Sequence, residues 1–381
     1  MHIDFISSIH AINADEWNAL CETDYPFIRH EFFAALEDSG STTAASGWQP
    51  HHLLVRENNQ LLVAIPFFLK THSYGEYVFD WGWADAYHRH GENYYPKLVN
   101  AIPFTPCYGS RWLCAKDIEL ENFIPAIVNQ LEQETNRLHA SGWHCLFPTE
   151  TLHQQLTTAG VSARLGSQFH WFNGDYKNFD DFLAAMTARK RKNIAKERRQ
   201  VEAQKFSFLV KEGQAISADD WDFFYALYCS TYAKRSGHSG YLTREFFHQL
   251  GKSMPDNTLL ICAKREGTAV AAALYLRDST TLYGRYWGCL QEFDFLHFET
   301  CYYQGIDYAI AKGLQRFDGG AQGEHKIQRG FEPIATYSNH WLVHPAFRAA
   351  VDQFLLQEAE GVAAYMDDAR NYLPFKISAD E

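Results

Sequence analysis

The sequence predicts an α+β fold: two tandem copies of a mainly antiparallel mixed sheet flanked by helices. Three observations carry this. The chain has 381 residues, long for one hydrophobic core, so two domains are expected. Short motifs recur in matched order along the two halves. Within each copy the pattern runs as three short strands, a helix, a strand and a final strand, which is a meander rather than a doubly wound sheet.

The recurrence is specific. Leu53-Leu54-Val55 matches Leu259-Leu260-Ile261, and Trp81-Gly82 matches Trp287-Gly288, both at an offset of 206. Tyr94-Tyr95 and Tyr302-Tyr303 follow at 208. Further on, Phe147 matches Phe317, Gly160 matches Gly330 and His170-Trp171 matches His340-Trp341, all at 170. The fall in offset requires an insertion of about 36 residues in the first copy, between Tyr95 and Gly142. The division is therefore residues 1–176, a basic linking helix at 177–205, and residues 206–381.

In the second copy, strands are expected near 259–264, 269–276 and 282–287, punctuated by "REG" and "RDST". A helix near 298–312 carries Phe298, Cys301, Tyr302, Ile306 and Ala309 at helical spacing. The strands "LQRFDG" and "SNHWLV" complete the copy. In the first copy the corresponding helix falls near 123–140, followed by "WHCLFP". An amphipathic helix near 346–369 ends the pattern. The aromatic content, 28 Phe, 21 Tyr and 10 Trp, suits packed sheet cores and a partly apolar cleft.

The net charge of −12 argues against a general nucleic-acid binder, yet it leaves room for a local anion site. "MHIDFISSIHAINADEWNAL" lacks a basic stretch leading into an apolar one, and "LLVAIPFFL" is too short to span a bilayer. None of the eight cysteines forms a CxxC pair. The expectation is a soluble, reduced, cytoplasmic protein.

Positive charge is concentrated in one place. "NFDDFLAAMTARKRKNIAKERRQVEAQ" reads as one helix of about 25 residues, capped by Asp180 or Asp181. At 100° per residue Phe179, Leu183, Met186, Ile194 and Val201 share an arc, with the stem of Lys190 along it. Arg189, Lys192, Lys196 and Arg199 line the opposite side, and Arg191 and Arg198 form a second row. Glu197 and Glu202 are the only acids nearby, so like charges repel by tenths of a kcal/mol per pair. A phosphate held by Arg and Lys would offset that repulsion. A solvated basic face is the alternative.

Phosphate-loop, dinucleotide, zinc-peptidase and serine-hydrolase motifs are absent. His51, His52, His88 and His90 lack a carboxylate at ligand spacing, so no metal site is expected. The richest polar stretch is "FDGGAQGEHKIQRGFEP". Its glycines permit close backbone approach to a ligand. Glu324 and His325 are candidate general bases, while Lys326, Arg329 and Gln322 could hold a carboxylate or phosphate. "RYWGCLQEFDFLHFETCYYQG" adds Arg285, His297, Glu299, Tyr302 and Tyr303 near the same sheet end, with Glu299 as a reserve base. A polar loop at a sheet end, and aromatic packing, are the plainer readings.

Taken together, "FDDFLAAMTARKRKNIAKERRQV", "YPKLVNAIPFTP", "YGRYWGC", "LHFETCYYQGIDYAI" and "GAQGEHKIQRGFEP" resemble the bacterial FemAB-like N-acyltransferases of the wider GNAT superfamily, over nearly the whole chain. The resemblance implies two GNAT-like domains with the reaction cleft at their junction. It also implies transfer of an acyl or aminoacyl group to a small-molecule or peptide amine, for which a cell-wall precursor is one candidate. Fem-type ligases use aminoacyl-tRNA, and their basic linking segment approaches a nucleotide pyrophosphate; Arg189, Lys190, Arg191 and Lys192 are the counterparts here. The R/QxxGxG/A signature that holds the pyrophosphate of CoA is missing, since the corresponding stretches read "GCLQEFDFLHFE" and "GWADAYHRHGEN". The donor is thus open between acyl-CoA and aminoacyl-tRNA, with the acidic balance weighing against tRNA. A non-catalytic module that recognises cell-wall precursors or a partner protein is the reading from another class.

Overall fold

The computed structural model describes residues 1–321 and 323–376. The chain forms two compact units that are not sequential: residues 1–167 with 335–364, and residues 168–334 with 365 onward.

In the first unit, the strands His2–Ile6, His52–Glu57, Gln60–Ile65 and Leu113–Cys114 make an antiparallel sheet. A second set runs Trp48–Pro50, Phe68–Lys70, Lys97–Asn100 and Gly142–Leu146, and ends on Ser338–Leu342. Leu53, Val55, Val63, Ile65, Leu98 and Trp143 pack against Ile127 and Leu131 of the helix Ile124–Arg137. Burial of such side chains contributes about 1.5–3 kcal/mol each.

The second unit carries the strands Phe206–Glu212, Thr258–Arg265, Thr268–Arg277 and Thr281–Cys289 as an antiparallel meander. Next comes Arg316–Asp318, which pairs in parallel with Thr281–Tyr283, and then His170–Phe172. The last strand of each repeat is thus exchanged. Trp171 of the first repeat pairs with Phe317 of the second, and Trp341 of the second pairs with Trp143 of the first. Gly160 and Gly330, matched in sequence, both take positive φ, 87° and 85°, ahead of these strands. A side chain is disfavoured in that region of backbone space.

Two expectations need correcting. Trp81-Gly82 opens the helix Trp81–Arg89, whereas Trp287-Gly288 lies on a strand, so that match is not structural. Likewise the basic segment is not one helix but two, Phe179–Ala185 and Ala188–Ala203. Met186 between them is extended (φ −83°, ψ 159°) and forms a bridge with Phe375. The amide of Thr187 bonds the carbonyl of Pro374, and that of Lys376 the carbonyl of Ala185. A distant segment thus takes over the hydrogen bonds a continuous helix would have used. The cap of the first piece is Asn178, whose side chain accepts the Asp181 N–H at 2.9 Å, rather than Asp180 or Asp181. The predicted apolar arc holds across the break: Phe179, Leu183, Met186, Ile194 and Val201 are all buried.

Among the described residues no helix is long and apolar enough to cross a membrane.

Candidate functional site

The site begins where two parallel strands part. Thr281–Cys289 and Arg316–Asp318 stay in register only as far as Tyr283 and Asp318. Beyond that, Gly284–Trp287 on one side and Gly319–Ala321 on the other line a cavity of about 290 Å³. The turn is built into the chain. Asp318 Oδ1 accepts the Gly320 N–H at 2.8 Å, and Lys326 Nζ donates to the Gly320 carbonyl at 2.6 Å. Gly320 sits at φ +83°, a conformation that glycine adopts without penalty. With both backbone polar groups of Gly320 held by side chains, the strand is turned away from its neighbour. Tyr228, Tyr232 and Arg235 of the helix Ala218–Ser236 close another wall, and His297, Cys301 and Tyr302 a third.

Tyr302 and Tyr303 lie in a π-helical turn, Glu299–Tyr303, that interrupts an otherwise α-helical run. Such turns widen a helix by one residue and are frequent at functional sites. Here consecutive tyrosines reach two different cavities: Tyr302 lines the larger, Tyr303 a smaller one of about 190 Å³.

The 3-10 turn Glu324–Arg329 follows, and its Gln328 and Arg329 line the smaller cavity. His325 Nε2 is 3.0 Å from the Tyr302 hydroxyl. Burial, then the cations Arg329 and Lys326, push its imidazole down to about 4, although the residue keeps an exposed face. Burial and His325 push His297 down to about 3. Both rings are neutral at pH 7. Burial lowers Lys326 to about 8 against the pull of Asp318. Arg329 is buried, lies 3.4 Å over the Phe298 ring, and donates to both oxygens of Glu197 at 2.9 and 3.0 Å. It also donates to the His325 carbonyl at 2.8 Å, within the same turn.

The smaller cavity is lined by Lys190, Asn193, Lys196, Glu197 and Gln200 of the basic helix, with Tyr303 and Arg329 opposite. Of the four predicted phosphate ligands, only Lys190 reaches it. Arg189 and Lys192 are exposed and Arg191 half-buried, and none of the three lines either cavity. Among the described residues, Arg189, Lys190, Arg191, Lys192, Lys196 and Arg199 have no ion-pair partner. Arg198 differs: it pairs with Glu299 at 3.0 Å and Asp307 at 2.7 Å and stacks 4.2 Å over Phe179.

The other predicted residues fall as follows. Arg285 lines the larger cavity. Glu299 is buried beneath the helix with Arg198 and Gln304, its carboxyl pushed up by burial, and it lines neither cavity. Glu324 is exposed, accepts a hydrogen bond from Tyr365 at 2.9 Å, and also lines neither. Gln322 lies outside the described residues. Sequence reading missed Arg235, Tyr228 and Tyr232. Arg235 stands in the last helical turn before Gly237 at φ +72°, where a cation reads simply as a complement to the helix dipole.

Over residues 8–377 the chain matches the FemAB-like family, described as peptidoglycan biosynthesis/recognition. The chain belongs to this family. Among solved structures it is similar to FemX, at 10% identity and a TM-score of 0.53, covering 90% of this chain and 98% of that one. That likeness shows the fold. Other similar structures are L-PGS from Bacillus licheniformis (11% identity, 88% and 98% covered, TM-score 0.49) and a tandem GNAT protein from the clavulanic acid biosynthesis pathway (8%, 90% and 99%, 0.49). No curated protein sequence matches.

Proposed function

We propose that the chain is a transferase that moves an acyl or aminoacyl group onto an amine, with the reacting groups in the larger cavity of the second unit. Family membership supports the reaction class. The observation that carries the site is the Tyr302–His325 hydrogen bond at the wall of a cavity opened by parting strands. The amine nitrogen attacks the acyl carbonyl carbon. A C–N bond forms as the bond to the donor's oxygen or sulfur breaks. The amine proton passes to the Tyr302 oxygen as Tyr302's own proton moves to His325 Nε2; the relay then runs back, Tyr302 giving a proton to the departing oxygen or sulfur as His325 returns one to Tyr302. With Nδ1 protonated, a neutral His325 presents Nε2 as the acceptor. The positive potential that Arg235 and Arg285 give the cavity favours charge developing on the carbonyl oxygen. His325 is thus favoured over Glu324 and Glu299 as the base.

Phosphates of the donor or acceptor are assigned to the smaller cavity, held by Lys190 and Lys196. The unpaired cations of the basic helix support this, because their mutual repulsion falls when an anion binds. A cell-wall precursor as acceptor accords with the family description. A second reading, recognition of such a precursor without turnover, draws on one observation: among the described residues lining the larger cavity there is no Asp or Glu. The test is incubation with acyl-CoAs, charged tRNAs and amine acceptors, read by mass spectrometry. Transfer predicts an acylated amine; recognition alone predicts binding with no product.

A further inference from the structure

The larger cavity has a one-sided charge balance. From the helix Ala218–Ser236 it receives Arg235, from the strand Thr281–Cys289 Arg285, and from the segment around the π-turn His297, Cys301 and Tyr302. Behind these walls stand the neutral His325, Lys326, and Arg329 with its partner Glu197. No carboxylate lines it among the described residues; the nearby Asp318 directs Oδ1 to the Gly320 N–H instead. Arg235 is exposed and has no ion-pair partner among the described residues. The remaining wall is aromatic: Tyr228, Tyr232, Tyr286 and Trp287. A volume of about 290 Å³ is at the small end for ligand pockets, which start near 300 Å³.

We propose that this cavity binds the oxyanion end of a small substrate with an apolar or aromatic body, anchored by Arg235 and Arg285. Guanidinium groups meet a carboxylate or a phosphate through paired N–H donors, and the aromatic wall covers the apolar remainder. Only the placing of this substrate in the reaction rests on the proposed transfer. The binding site stands on the charge and shape of the cavity alone.

Calorimetric titration of the full chain tests it with three probes: N-acetylphenylalanine, its carboxamide, and phenyl phosphate. At least one of the two anions is expected to bind about tenfold or more tighter than the carboxamide, and the tighter anion names the source of the oxyanion. Arg235→Gln and Arg285→Gln are each expected to weaken that anion about tenfold, with unchanged circular dichroism. Arg285→Lys, which keeps the charge, controls for packing and should recover part of the loss. Equal binding of anion and carboxamide, binding of neither anion, or undiminished affinity in both glutamine variants overturns the proposal. None of these readouts needs turnover, so a failed transfer assay and a failed binding assay are separate results.

Discussion

Lys97 in the first unit and Arg329 in the second are both buried cations, at 1% and 6% exposure, and their surroundings differ in kind. Lys97 is enclosed by its own partners. It donates to Ser73 at 2.9 Å, to Glu76 at 2.8 Å and to Asp80. Burial opposes the charge on Lys97, but Glu76 and Asp80 hold its ammonium above the ordinary lysine value. Burial also works against Asp80, yet Lys97 and His144 outweigh it and hold the carboxyl down to about 2. Glu76, which burial dominates, is pushed up to about 7. The cluster closes on itself and pins the segment from Ser73 to Asp80. Arg329 instead spends its donors on Glu197 and a carbonyl while lining a cavity together with Lys190 and Lys196. One unit encloses its buried cation between two carboxylates, and the other pairs Arg329 with Glu197 beside two lysines that have no ion-pair partner among the described residues.

The sharpest way to break that contrast is Lys97→Met. It strands Asp80 and Glu76 without their cation, and a loss of about 3–5 kcal/mol is expected in denaturant titration. Adding Asp80→Asn and Glu76→Gln should return much of it, because the buried charge is then gone.

Acid comes next. His144 and His170 are wholly buried and pushed down by that burial, to about 3 and about 4. Their unfolded value is about 6.5. Between about pH 6.5 and 4 the unfolded chain therefore binds protons that the native chain refuses, and stability falls as pH falls. Each ring contributes about 1.4 kcal/mol per pH unit in that window, measurable as a drop in unfolding free energy from pH 7 to 5.

Tyr302→Phe sharpens the second unit's side. It removes the hydroxyl that contacts His325 while keeping the ring, so stability should change by about 1 kcal/mol or less. Turnover of a confirmed substrate should fall about a hundredfold, and His325→Ala should match it without adding to it in the double variant. The smallest effect belongs to the outer face of the basic helix. Arg189→Gln and Lys192→Gln should shift stability by about 0.5 kcal/mol or less and leave turnover near normal, since neither residue reaches a cavity.

Local chemistry was legible in the sequence, and long-range partnering was not. The meander strands Thr258–Arg265, Thr268–Arg277 and Thr281–Cys289, the apolar arc and the matched His-Trp dipeptides follow from periodicity and repetition. So does the exposure of Arg189, Lys192, Lys196 and Arg199 on one side of their helix. The break at Met186 was hidden because its cause is Pro374 to Lys376, far along the chain. For the same reason Arg198 read as one more surface cation: its partners Glu299 and Asp307 lie on another helix. The sequence marked the loop from Glu324 to Arg329 as chemically rich without showing which side chains face the cavity. Its glycines and mixed charge give composition, whereas Lys326 turning inward to Gly320 is geometry.

The most direct test of transfer at this site is a comparison of wild type and Tyr302→Phe in the mass-spectrometric panel of acyl donors and amine acceptors. The account predicts an acylated amine from the wild type and about a hundredfold less from the variant, with both folded. Equal product from the two proteins would contradict it.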